Sequence, residues 1–178
     1  MDRHLPGLSI SKRLTLSFAV LAALLVAVAV TALLQMRRMD TLSTDIVGNW
    51  LPSVETVNQL RTLSNELRIT ETAHILNTDD KAMGAIEKSM DDTIKAFDET
   101  HATYAKLISS DEEARVHQRF EAAWKSYMAT HARMIDLSRR NENEQAKKLL
   151  DTDGQQSFAA AQTELLQLIK IKIGRAHV

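Results

Sequence analysis

From Leu14 to Leu34 every position is apolar except Thr15, Ser17 and Thr31, and beyond that run the apolar residues thin out to steps of three and four. The first pattern predicts one membrane-crossing helix, because 18 or more apolar residues wound as a helix reach across the roughly 30 Å hydrocarbon core of a bilayer. The second predicts long amphipathic helices, each with a single stripe to bury.

Four such helices follow. The first, Met36 to Asn77, continues from the membrane helix and is marked by Val54, Val57, Leu60, Leu63 and Leu67. Pro52 is expected to kink it, since proline removes a backbone hydrogen bond. The second, Asp79 to Ile108, carries Met83, Ile86, Met90, Ile94, Phe97, His101 and Tyr104, with Thr78, Asp79 and Asp80 suited to cap its start. The third opens on Ser110 and Glu113, a capping-box spacing. It then shows Val116, Phe120, Ala123, Tyr127, Thr130, Met134 and Leu137 in alternating steps of four and three, a coiled-coil-like seam. The fourth begins after Asn141, carries Phe158, Ala161, Leu165 and Leu168, and is expected to break at Asp151–Gly154. Short connections at 77–80, 109–111 and 140–143 force antiparallel neighbours. The fold class is therefore all-α: an N-terminal transmembrane helix continuing into an antiparallel up-down-up-down four-helix bundle.

Composition sharpens this picture. No Gly or Pro occurs between Gly84 and Gly154, so helices longer than the globular average meet nothing that would break them. The net charge is −1 with basic residues spread out, which gives no footprint for nucleic acid. There is no cysteine, hence no disulfide, Cys-type zinc site or thiol nucleophile. No oxyanion loop or phosphate-binding glycine run is present either, so no catalytic residue is assigned and the chain is not expected to be an enzyme.

Flanking charges set the expected topology. Arg3, Lys12 and Arg13 precede the apolar run and Arg37 and Arg38 follow it, which favours a cytoplasmic N-terminus by a small margin. The rival is a cleaved signal peptide with Ala27-Val28-Ala29 as its cleavage site, against which stands an apolar stretch longer than a usual signal core. Either way the bundle lies outside the cytoplasm. The organisation is thus a cytoplasmic N-terminus (1–13), a transmembrane helix (14–36) and a four-helix bundle (37–172) outside the cytoplasm.

The final segment, 173–178, leaves the amphipathic pattern and reads like the translation of a common DNA-sequencing adapter, so it is set apart as an artefact and His177 is discounted as a ligand. Level-matching agrees with a chain that should continue. With tight turns, Ile108 and Lys172 both fall beside a residue near Asn49, so the fourth helix stops roughly 18 Å short of the membrane level of Arg37. Three more turns and a second membrane span are expected beyond Lys172.

A short basic N-terminus with "SISKRL", a membrane helix and a long first helix carrying "DIVGNWLPSVETVNQLRTLSNELR" before a four-helix domain resemble the sensory half of bacterial methyl-accepting chemotaxis proteins. The resemblance runs from about Ser9 to Lys172 and rests on this architecture with the Trp50-Leu51-Pro52 segment. It implies a homodimeric bundle that binds a small ligand, such as an amino or organic acid, near its first and fourth helices. A membrane-helix displacement would then act on a cytoplasmic region controlling a kinase complex, a region that would lie beyond Lys172. The same input bundle can serve a sensor histidine kinase or a cyclic-dinucleotide enzyme. From a different class, a secreted four-helix carrier of haem or metal is the alternative.

Candidate chemistry is sparse. Arg61, Asn65, Arg68 and Thr72 step by four, three and four and so share one helical face, where two guanidinium groups could grip a carboxylate through paired hydrogen bonds. Level-matching places Gln156, Ala160 and Thr163 of the fourth helix opposite Arg61 to complete such a site. The rival reading of that face is a solvated one with Arg68 paired to Glu71 or Thr72. Glu71-x-x-His74 is half of a carboxylate di-metal pattern and Asp98-x-x-His101 a near-copy. However, His74 and His101 are expected roughly 27 Å apart along the bundle, too far to share an ion. No metal and no cofactor is assigned. His101 is expected to be a core or boundary histidine with one satisfied nitrogen, and His74 and His131 to lie near the surface.

Overall fold

The computed structural model describes the backbone of residues 10–175, with side chains at 14–36 and 48–174. Most of the expected cytoplasmic N-terminus and half of the adapter-like tail, Arg3 and His177 included, therefore lie outside what is described, as do the side chains of Lys12, Arg13, Arg37 and Arg38. Among the described residues there is no strand.

The chain divides into two units, 1–45 and 46–178. The first contains helix α1, Ile10–Asp45, whose segment Leu14–Met36 is long and apolar enough to cross a membrane, with a mean hydropathy of 2.7 and no burial against protein. By length and composition alone, a signal sequence meets the same description.

The second unit opens with a π turn, Ile46–Trp50, followed by α2 (Leu51–Ile75), α3 (Asp80–Ala105) and α4 (Asp111–Arg139). The fourth wall is composite: α5 (Asn143–Leu149), a π turn at Leu150–Gly154 and α6 (Gln155–Arg175). Pro52 stands in the first turn of α2, directly behind the π turn, whose wider turn accommodates the missing N–H. The break expected at Asp151–Gly154 is likewise a π turn, one residue wider than an α turn, and the helix passes through it.

The caps explain where the helices start and stop. Asp79 accepts from the Ala82 N–H at 2.8 Å at the start of α3, and Ser110 accepts from the Glu113 N–H at 3.2 Å at the start of α4. At the end of α4, Asn141 adopts a left-handed φ of 59°. The Glu142 N–H reaches back to Leu137 O at 3.0 Å and the Asn141 N–H to Ser138 O at 2.8 Å, the two bonds of a Schellman closure.

Burial follows the predicted stripes. Val57, Leu60 and Leu67 of α2, Met83, Met90, Phe97 and Tyr104 of α3, Val116, Phe120, Tyr127 and Met134 of α4, and Ala161, Leu165 and Leu168 of α6 are all buried. All but Met83 fall in two apolar clusters, one centred on Leu60, Phe97, Phe120 and Leu165, the other on Leu67, Met90, Tyr127 and Met134. Side chains of α3 and α4 meet through aromatic rings, with Phe97 stacked on Trp124 at 4.0 Å between centroids.

Candidate functional site

Polar groups buried in the bundle sit in separate layers, each anchored on a glutamate. Glu113 is fully buried at the end where α2 begins. It accepts from the Tyr104 hydroxyl at 2.7 Å and the Ser109 N–H at 3.0 Å, and it pairs with Lys172 Nζ at 2.8 Å. The same ammonium donates to Asn49 Oδ1 and Leu107 O, each at 2.9 Å. Burial raises the Glu113 carboxyl, but the ammonium and the two other donors outweigh it and leave the group below its ordinary value. Burial and the neighbouring Glu113 push the Tyr104 hydroxyl upwards. The capping-box glutamate of the sequence is thus a buried anion. Asn49 and Lys172 meet at Leu107, one residue from the Ile108 that level-matching placed there.

The middle layer is built on Glu71, also fully buried, which accepts a short hydrogen bond from the Tyr127 hydroxyl and contacts His131 Nδ1 at 2.7 Å. Burial, then Glu71, raises the Tyr127 hydroxyl. Nearby, His74 contacts Ser138 Oγ at 2.8 Å through Nδ1 and Glu87 Oε1 at 3.0 Å through Nε2. Arg139 clasps Glu87 with Nε and Nη2 at 2.6 and 2.7 Å, and this bond, more than anything else, holds the Glu87 carboxyl at about 2. Two placements are corrected here: His74 is fully buried rather than near the surface, and His131 is mostly buried. Both are drawn inward because α4 offers Ser138 and α2 offers Glu71 as partners. Glu71 and His74, the half-pattern for metal, spend their donor atoms on these separate bonds.

The predicted ligand face is partly assembled. Asn65, Arg68, Ile69, Thr72, Ala73 and Leu76 line a surface groove of about 470 Å³ on α2. Arg68 donates to Gln155 Oε1 at 2.8 Å and Leu150 O at 3.2 Å, and its guanidinium lies 5.1 Å above the Phe158 ring. The other terminal nitrogen, Nη1, is buried without a hydrogen-bond partner among the described residues. The solvated pairing of Arg68 with the Glu71 carboxylate is not what forms. Arg61 does not line the groove; its Nε donates to Gln162 Oε1 at 3.3 Å, and Gln162 donates in turn to Ser64 Oγ at 2.6 Å.

On α6 the arginines meet immediate neighbours of the residues expected opposite Arg61. Gln155 and Gln162 meet the arginines, whereas Gln156 and Thr163 are exposed and Thr163 bonds back to Ala159 O. One residue is about 100° of helix rotation. The buried stripe through Ala161, Leu165 and Leu168 fixes which flank faces α2, and 155 and 162 stand on that flank.

A second groove, of about 500 Å³, runs between α4 and α6 and is lined by Glu112, Arg115, Arg119, Gln167 and Lys170. Arg119 is engaged there with Glu164 at 2.9 Å and Gln167 at 3.0 Å. Sequence reasoning also missed His117, which α4 places 2.8 Å from His101 of α3, Nε2 to Nε2. The spacing of three between Val116 and Arg119 and four between His117 and Glu121 was the available signal. Burial lowers the His117 pKa despite Glu121 nearby.

The described residues thus combine an apolar first helix with a bundle of four long walls whose interior holds paired polar layers. A family model described as "Four helix bundle sensory module for signal transduction" matches residues 7–177, and the chain belongs to that family. The family is a sensory signal-transduction module and not a catalytic domain. The chain is also 23% identical over 164 residues to a Bacillus subtilis (strain 168) protein named "Putative sensory transducer protein YvaQ". That alignment covers 92% of this chain and 29% of the relative, so the chain spans less than a third of the relative's length.

Proposed function

We propose that the chain is the sensory portion of a transmembrane chemoreceptor, with α1 in the bacterial inner membrane and the bundle in the periplasm. The family match over 7–177, joined to an apolar helix with side chains exposed all round, carries this reading. A helix apolar on every face and unpartnered by protein suits lipid. The ligand is a small anion, such as an amino or organic acid, and it binds in the α2 groove at Arg68. Asn65, whose amide keeps one hydrogen beyond its bond to Arg61 O, supplies a neutral donor beside the cation, while Ile69 and Leu76 supply apolar wall. A second copy of the chain closes the groove, which is open and largely apolar in one copy.

Ligand acts by favouring one of two packings of α2 against α6. The polar ties between these helices and the π turns that precede them include Arg61 and Ser64 to Gln162, Arg68 to Gln155 and Leu150, and Asn49 to Lys172. An anion drawing Arg68 outward would exchange one tie for another, and α6 would pass a shift of 1–2 Å to a kinase-controlling region beyond this chain. The test is a thermal-shift screen of the full chain in detergent micelles with aspartate, serine, succinate and citrate. At least one should raise the melting midpoint, and Arg68→Ala should abolish the rise with helicity unchanged. A rise that survives in Arg68→Ala and vanishes in Arg119→Ala would move the ligand to the α4–α6 groove. No response to any of the acids would overturn direct sensing of small anions.

A further inference from the structure

We infer that His101, His117 and Glu121 form a binding site for a divalent transition-metal ion, zinc foremost, that straps α3 to α4. One ligand atom from each residue lies within 4.8 Å of the other two. His117 and Glu121 are one helical turn apart on α4, so they present to the same side. His101 reaches across from α3, with Nε2 at 2.8 Å from His117 Nε2 and 3.7 Å from Glu121 Oε1. With bonds of about 2.0–2.1 Å at tetrahedral angles, ligand atoms of one zinc ion stand about 3.3–3.4 Å apart. The 2.8 and 3.7 Å separations around His101 Nε2 bracket that figure, while the carboxylate approaches His117 at its Nδ1, 3.8 Å away. Opening the two imidazoles by about half an ångström and swinging the half-exposed Glu121 side chain from the Nδ1 edge of His117 towards its Nε2 seats the ion.

The carboxylate is uncommitted. Glu121 has no hydrogen bond among the described residues, hovers 3.7 and 3.8 Å from the two histidines, and has a half-exposed side chain. Packing supplies the rigid side of the site. His101 lies edge-on to Phe120 at 5.6 Å and stacks with His117 at 4.9 Å, so ring orientations are restricted before any ion arrives. Two imidazoles with one carboxylate select zinc, copper or nickel over magnesium or calcium, which prefer all-oxygen shells. Solvent access through Glu121 leaves the fourth position to water or an exogenous ligand. On binding, the hydrogen shared between the two Nε2 atoms must move to a δ nitrogen, because both ε lone pairs are needed by the ion.

The site uses α3 and α4 and shares no residue with the Arg68 groove on α2, so either can fail without the other. The test uses the full chain in detergent micelles, stripped with EDTA and titrated with zinc by calorimetry, then with cobalt by visible absorption, at pH 7.5. The expected result is one ion bound per chain at micromolar zinc, an intense low-coordination cobalt spectrum, and a melting midpoint raised by about 5–10 °C at saturating zinc. Glu121→Gln and His101→Asn should each weaken zinc by about a hundredfold or more, exceeding the ten- to hundredfold typical of losing an outer-shell partner. His131→Asn, in the other polar layer, should bind as the parent does. Glu121→Gln removes an exposed group with no hydrogen bond, so it retains the fold and keeps the comparison valid. Absence of zinc binding, or binding unaltered in both Glu121→Gln and His101→Asn, overturns the proposal.

Discussion

Lys172 is the residue on which most depends, because it places an ammonium inside the bundle within reach of Glu113, Asn49 and two groups of the α3–α4 turn. Only 2% of it is exposed, and Glu113 is fully buried. Removing one member of such a pair leaves an uncompensated buried charge, which is far worse than removing both. Lys172→Met should therefore lower stability by about 3–5 kcal/mol in urea unfolding followed by circular dichroism. The double variant Lys172→Met/Glu113→Gln should recover much of that loss. Equal damage in the single and double variants would mean that lysine packing, and not charge pairing, is what matters. Glu87 makes a second statement at this scale. Its folded pKa of about 2 lies below the ordinary 4.5, so the folded state holds fewer protons than the unfolded chain. The stabilisation is full above about pH 4.5 and is lost as pH falls towards 2. Melting midpoints of the parent and Glu87→Gln should thus differ at neutral pH and converge towards pH 2. The difference is modest, since Arg139 is well exposed and water screens the pair.

At the scale of elements, the helix ends are decided by short local bonds. Asn141 at φ 59° is tolerated because its small polar side chain costs little in the left-handed region. Asn141→Gly should be neutral or slightly stabilising, and Asn141→Val should cost about 1–2 kcal/mol, read from the same unfolding curves. Helix existence was legible in the sequence for the same reason the caps work. Apolar residues at 116, 120, 127 and 134 and capping residues at 79 and 110 act over one or two turns, so periodicity reveals them without knowledge of the partner. The π turns were legible only as irregularities. Pro52 and the Asp151–Gly154 stretch flagged them, but whether a helix breaks or bulges depends on what packs beneath it. Leu149 and Leu150 are both buried there, and a π turn keeps them on the core side. The candidate site was legible on α2, where one helix supplies Asn65, Arg68 and Thr72. It failed on α6, where a rotation of about 100° separates Thr163 from Gln162. The pairings of His74 with Ser138 and of His101 with His117 were not legible, since each joins residues on different helices through contacts that no spacing encodes.

For the whole molecule, the open question in the sensory reading is what covers α2. Ile69 and Leu76 are seven residues apart, so they share a face, and they are 68% and 78% exposed. Large apolar side chains that share a helical face and border an arginine groove are what an interface between copies would use. In a symmetric dimer the same patch meets itself, so a residue near the axis lies close to its own copy. The chain has no cysteine, and a single introduced thiol therefore reports on one contact without background. Ile69→Cys in membranes should form a disulfide-linked dimer under mild oxidation, because bridged Cα atoms must come within about 7 Å. Lys95→Cys, exposed on α3, should remain monomeric under the same treatment. Aspartate or another acid that stabilises the chain should alter the crosslinking rate at position 69, since its site borders the same face. Equal rates at 69 and 95 would place the dimer contact elsewhere and leave the Arg68 groove without its lid.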